Sequence, residues 1–223
     1  MPMINHRRLS KGGVSLIPTF IYWLDIVGVA VFAATGALAA SRKQMDIIGF
    51  GLLATLTGLG GGTVRDLILD RPVFWLLDQT YLAICLGVAG LSFFGAHLVQ
   101  RRYPVLLWLD AIGLAAYGVL GAHVAFAAGA GLVVAMALGV VTATFGGLMR
   151  DVVNQETPLI LKQELYATAA VCSAAVYLAV LLLNGSPTLG AALAIAAGFG
   201  LRAAAIRHGL SLPRYRPREG RPY

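Results

Sequence analysis

Charge is what this sequence has least of. Of 223 residues only 12% are Asp, Glu, Lys or Arg, against 58% apolar. Soluble domains carry roughly 25% charged residues and about 45–50% apolar ones. Too little polar surface remains to cover a water-soluble particle of this size, so the composition places the chain among integral membrane proteins. Cysteine is nearly absent: Cys85 and Cys172 each lie inside an apolar segment. That excludes a disulfide framework or a cysteine metal cluster and leaves both as small apolar helix residues. The four histidines (His6, His97, His123, His208) match no metal-ligand spacing. Acidic residues are scarce too, 10 against 17 basic ones, for a net charge of +7. The basic residues fall in loops and tails between apolar segments, which reads as topology determinants and contacts to lipid headgroups. Nucleic acid is not an expected partner.

Enzyme motifs are missing as well. A phosphate-binding P-loop needs a lysine that the glycine-rich stretch "TGLGGGTVRD" (57–66) does not contain. A dinucleotide fingerprint would need a preceding strand, and a glycine where Thr63 stands. No nucleophile, base and orienter stand together in the sequence. Neither enzyme activity, a cofactor nor a metal site is expected.

What is present is a series of apolar runs. A spanning helix needs about 20 largely apolar residues. Seven candidates fit: 19–40, 46–68, 80–99, 104–124, 130–153, 164–183 and 188–206. The predicted fold is an all-α, multi-pass membrane protein. The division is an N-terminal tail (1–18), a three-helix unit (19–99), a second such unit (104–183), a seventh helix (188–206) and a basic tail (207–223) read as disordered. With the N-terminus outside and the C-terminus cytoplasmic, twelve basic residues fall inside and five (Arg7, Arg8, Lys11, Arg65, Arg71) outside. The positive-inside rule favours that orientation in the cell inner membrane, although the basic N-terminus argues mildly the other way.

The two units repeat one another. "WLDIVGVAVFAATGA" from Trp23 lies over "WLDAIGLAAYGVLGA" from Trp108 at an offset of 85 residues. At the same offset "TGLGGGTVRD" (57–66) falls on "TATFGGLMRD" (142–151), both T-x-x-x-G-G-x-x-R-D, and Tyr81 falls on Tyr166. This repeat argues against a cleaved signal peptide at the N-terminus, because the first span has a partner copy. A unit of three spans is odd-numbered, so successive units enter the membrane in opposite senses and form inverted repeats. In such folds binding or permeation sites lie near the midplane, at broken helices in matching positions.

Glycine weakens a helix, and an unpaired charge is costly in hydrocarbon. Gly60, Gly61 and Gly62 in the second span, and Gly146 and Gly147 in the fifth, are therefore read as breaks that expose backbone polar groups to a wet pathway. Close helix packing is the alternative. Arg65 and Arg150 follow within a turn, each beside an aspartate, Asp66 or Asp151. Neighbours on a helix do not face each other, so the expected cross-helix pairs are Asp25–Arg65 and Asp110–Arg150; ion pairs that only fix packing are the alternative. Thr57, Thr63, Thr142 and Thr144 are pathway candidates, and hydroxyl bonding back to their own helix is the alternative for Thr57, Thr142 and Thr144. Gly28, Phe32 and Gly36, matched by Gly113, Tyr117 and Gly121, read as packing rows. So does the row Gly190, Ala194, Gly198, suited to close helix contact.

Two copies of G-G-x-x-R-D at this spacing, in a chain of this length, resemble the prokaryotic trimeric intracellular cation (TRIC) channels. The resemblance covers roughly residues 20 to 206. It implies a homotrimer with one pore in each subunit, permeable to monovalent cations, chiefly potassium with sodium as a second candidate. It also implies that kinked second and fifth helices line the pore, here with Gly60, Gly61, Gly62 and Arg65, and with Gly146, Gly147 and Arg150. Animal members carry a lysine-containing motif linked to phosphoinositide binding. This sequence has "VRDL" and "MRDV" instead, so that form of lipid regulation is not implied. Related bacterial sequences have also been labelled glycine transporters, which leaves a carrier as a second reading and a non-transporting scaffold as a third.

Overall fold

The computed structural model describes residues 19–99, 101–162 and 164–213. The predicted N-terminal tail and the arginines from 214 onward lie outside them. Eight α-helices follow in order: α1 (Thr19–Arg42), α2 (Ile47–Ile68), the four-residue α3 (Phe74–Leu77), α4 (Thr80–Gly95), α5 (Arg102–Ala127), α6 (Leu132–Val153), α7 (Ala167–Leu182) and α8 (Pro187–His208). Short 3-10 turns stand at Ala96–Leu98 and Leu159–Leu161. No strand occurs among the described residues, only an isolated bridge between Glu164 and Ser211. Among the described residues six helical runs are long and apolar enough to cross a membrane, α4 counting together with the 3-10 turn that follows it. The sixth predicted span is shorter than its apolar run, because α7 has only 16 residues. Arg207, assigned from sequence to the tail, lies in the last turn of α8.

Local chemistry sets the helix ends. Asp46 caps α2 by accepting from the Gly49 N–H at 2.8 Å. Ser186 caps α8 at 3.2 Å from the Leu189 N–H, with Pro187 in the first turn where its missing N–H does no harm. Gly209, at φ 65°, closes α8 in the left-handed conformation. The turns repeat as the sequence does. Gln44 and Gly129, and likewise Asp70 and Gln155, stand one repeat apart and all have positive φ.

The packing repeats as well. α2 and α6 are each 22 residues long and begin and end at matching positions. α1 packs on α2 and α4 as α5 packs on α6 and α7, and the units meet through α1 against α5 and α2 against α6. Contacts across that seam are exchanged. A methyl group on Gly28 would strike the Tyr117 ring, and one on Gly113 would strike the Phe32 ring, its counterpart. α8 packs on α5 and α7, and its small-residue row serves that contact: Gly190 lies against Tyr177 and Val180, Gly198 against Ser173. The outward faces carry Ile48, Leu52, Leu86, Leu91, Phe94 and Val133, all exposed. That is the surface a helix turns toward lipid, where apolar side chains need no cover.

One expectation is corrected here. α2 and α6 are not broken at their glycines; both are continuous α-helix through them. The glycines instead let two backbones touch. A side chain on Gly61 would run into the Thr142 carbonyl, and one on Gly146 into the Thr57 carbonyl. Thr57 and Thr142 are themselves matched positions, so the crossing is built twice from one motif. With no Cβ at the contact, α2 and α6 approach far closer than ordinary side chains permit, while each keeps its own hydrogen-bond ladder.

Candidate functional site

Just beyond the crossing each helix carries its Arg-Asp pair, and both pairs are buried. Arg65 is 4% exposed and Arg150 0%. In the Arg150 cluster, Nη1 donates to Asp110 Oδ1 at 2.7 Å and to the Thr35 hydroxyl at 3.1 Å, and Nε donates to Asp151 Oδ1 at 2.8 Å. Asp151 Oδ2 in turn accepts from the Leu159 N–H at 2.9 Å. One guanidinium thus ties α6 to α5 and α1, and its aspartate ties α6 to the turn that follows. A fork of fixed N–H donors suits such multiple pairing, which a point-charge ammonium could not reproduce. Gly147 packs against this cluster: a methyl group there would lie 2.9 Å from the Tyr166 hydroxyl and 3.5 Å from Arg150 Nη2.

The Arg65 cluster repeats half of this. Arg65 Nε and Nη2 both lie 2.8 Å from Asp66 Oδ1, and Asp66 Oδ2 accepts from the Phe74 N–H at 3.0 Å. Phe74 and Leu159 are again one repeat apart. Two sequence expectations fail on this geometry. The neighbouring aspartate is a direct partner of the arginine in both copies, because the long arginine stem folds back along the helix end where the carboxylate also turns. And the pair Asp25–Arg65 does not form. Asp25 accepts instead from the Tyr81 hydroxyl at Oδ2 and the Tyr117 hydroxyl at Oδ1, both at 3.1 Å. The matched pair Asp110–Arg150 does form, at 2.7 Å.

The remaining candidates are placed as follows. Thr57 and Thr142 donate to the carbonyls of Leu53 and Leu138 at 2.6 Å, and Thr144 to that of Val140 at 2.8 Å. Their hydroxyls are bonded to their own helix, as the alternative reading had it. Thr63 donates to the Leu59 carbonyl at 2.8 Å and accepts from Trp75 Nε1 at 3.0 Å. Gly60 lies against Gly146, and Gly62 faces the Phe74 ring. Beside the Arg150 cluster a narrow crevice is lined by Arg42, Tyr103, Glu156 and Lys162 together with Arg150 and Asp151. Across it Arg42 Nη1 pairs with Glu156 at 3.1 Å, and Lys162 Nζ donates to the Tyr103 hydroxyl at 2.8 Å.

Known proteins resemble this chain in sequence and fold. A family model described as "Glycine transporter" matches residues 22–97 and 107–181, the two repeats. The UPF0126 inner membrane protein YadS of Escherichia coli is 41% identical over 201 residues, which is 87% of this chain and 96% of that protein. Among solved structures, the TRIC trimeric intracellular cation channel orthologue of Rhodobacter sphaeroides is 50% identical with a TM-score of 0.84, covering 86% of this chain and 100% of that one. The chain belongs to the prokaryotic TRIC family. A prokaryotic TRIC channel solved in 0.5 M KCl, 28% identical, gives a TM-score of 0.81 over 87% of this chain and 99% of its own.

In this TRIC-family chain, sequence reasoning missed Thr35, Tyr81 and Tyr117 as partners of the charged groups. The coincidence of Tyr81 with Tyr166 was a signal. The exchange of Phe32 for Tyr117 was another, and it sat in a row read only as packing. Nothing in the sequence pointed to Arg202, which is 0% exposed on α8 and lies 2.7 Å from Glu164 through Nη2.

Proposed function

We propose that this protein is a monovalent cation channel of the cell inner membrane, with one pathway in each subunit running along α2 and α6 past the two Arg-Asp clusters. The observation that carries the reading is the doubled crossing of α2 and α6, flanked at matched positions by buried Arg-Asp pairs, with Asp110 joined to the Arg150 pair. The Arg150 cluster, one arginine with two aspartates, is formally net negative, and Asp25 adds a carboxylate without an ion-pair partner on the Arg65 side, so a cation is the ion this arrangement favours despite the arginines. A buried arginine beside a cation path would act as a tethered counter-charge that keeps ion binding weak enough for release. The solved relatives are described as cation channels, which supports this reading and points away from enzyme activity. Potassium is the expected permeant ion and sodium a weaker candidate, in a homotrimer of inverted repeats with the N-terminus outside and the C-terminus cytoplasmic. Membrane lipids are the other expected partners. The candidate pathway residues are Thr57, Gly60, Gly61, Gly62, Thr63, Arg65 and Asp66, and Thr142, Thr144, Gly146, Gly147, Arg150 and Asp151, with Asp25 and Asp110 facing them.

A carrier for a small amino acid is the second reading, favoured by the description of the matching family model. Flux into proteoliposomes separates the two. The channel reading predicts rapid, non-saturating thallium entry measured by fluorescence quenching, and no accumulation of radiolabelled glycine against a gradient. Saturable glycine uptake without thallium entry would replace it with the carrier.

A further inference from the structure

The two charge clusters come from one repeated motif, yet they differ in which carboxylate the arginine holds. In the Arg150 cluster the guanidinium bridges both Asp110 and Asp151. In the Arg65 cluster it holds Asp66 alone, and Asp25 has no cationic partner within 4.0 Å among the described residues. Two unmatched hydroxyls go with the difference: Thr35, which stands beside Arg150 and has Leu120 as its counterpart, and Tyr117. Tyr117 donates to Asp25 Oδ1 and draws that carboxylate toward α5. The residue one repeat earlier is Phe32, which has nothing to donate, so Asp110 turns to Arg150 instead. Exposure differs in the same sense: Asp110 is sealed at 0%, whereas Asp25 is only partly buried.

A carboxylate held by two neutral hydroxyls has no counter-charge among its contacts, and a hydroxyl that donates its proton still has lone pairs to offer. Hard monovalent cations take oxygen ligands of this kind, carboxylate and hydroxyl together. We propose that Asp25, with the hydroxyls of Tyr81 and Tyr117, is a binding site for a partly dehydrated monovalent cation, and that Asp110 is not. The pathway is thus chemically one-sided although its backbone is repeated. Its role in conduction rests on the cation-channel reading; the binding site itself does not.

The test compares wild type with Asp25→Asn and Tyr117→Phe, the latter keeping the ring and charge while removing only the hydroxyl. Thermal midpoints of detergent-solubilised protein are measured across a KCl series, with N-methylglucamine chloride holding ionic strength constant. A cation that binds the folded state raises the midpoint as its concentration rises. Wild type is expected to gain stability with potassium. Asp25→Asn should abolish the gain, and Tyr117→Phe should move its midpoint to roughly tenfold higher potassium or more, the scale of a lost contact to a charged group. In bilayers the concentration for half-maximal conductance should rise in the same order. A potassium-dependent gain that survives Asp25→Asn overturns the site, as does a wild type that gains nothing from potassium. Silent bilayers with the potassium-dependent gain intact would overturn the channel reading and leave the site standing.

Discussion

Arg150→Ala is expected to leave little folded protein, and Arg65→Ala to cost less. Removing Arg150 strands Asp110 and Asp151 beside each other with no counter-charge, in a cluster where Arg150 is 0% exposed. Taking one partner from a buried ion pair destabilises by roughly 3–5 kcal/mol, because the abandoned charge has no water to turn to. At Arg65 only Asp66 is stranded, since Asp25 keeps both tyrosine hydroxyls. Arg150→Lys should not restore stability, since one ammonium cannot reach Thr35, Asp110 and Asp151 from a single position. Fluorescence-detected size-exclusion chromatography after a temperature ramp would show the ranking. Equal losses at Arg65 and Arg150 would contradict it.

The crossing of α2 and α6 should be as intolerant of a methyl group as the Arg150 cluster is of a lost charge. In Gly61→Ala the new Cβ meets the Thr142 carbonyl, and in Gly146→Ala it meets the Thr57 carbonyl. Neither obstacle is a flexible side chain that could rotate away, so the helices must separate. Overpacking of this kind costs roughly 1–3 kcal/mol per site and occasionally more. For a chain of this size that corresponds to a fall in Tm of about 2–4 °C per kcal/mol. Because the two contacts share one crossing, the double variant should lose less than the sum of the singles. Gly87→Ala and Gly90→Ala in α4 supply the contrast, with nothing within 4 Å of either new methyl group. They should be neutral or slightly stabilising, as alanine is the better helix former. A Gly61→Ala protein as stable as Gly87→Ala would show that the close approach does not hold the units together.

These two predictions mark the boundary between what the sequence revealed and what it hid. The offset of 85 residues was enough to expose the repeat, and matched bounds for α2 and α6 follow from it. Asp110–Arg150 was legible because two charges in apolar segments, each at the end of a matched span, have few other partners. The glycines were misread because a cluster of them weakens an isolated helix, while in a packed bundle the same residues permit contacts that more than offset the lost propensity. Asp25 was misassigned for a related reason. Its partner is decided by whether position 117 carries a hydroxyl, and no pattern of hydrophobicity or charge along one chain reports which ring faces which carboxylate. Repetition in sequence implied two equal ion pairs; the hydroxyls of Tyr117 and Thr35, absent from their counterparts Phe32 and Leu120, go with their inequality.

Single-channel recording of the purified protein in planar bilayers, under asymmetric potassium chloride, bears most directly on the central claim. Discrete currents that reverse near the potassium equilibrium potential, and that change in size with Arg65→Ala, are the predicted result. Protein shown to be folded that passes no current, or current that reverses near the chloride potential, would contradict a cation pathway along α2 and α6.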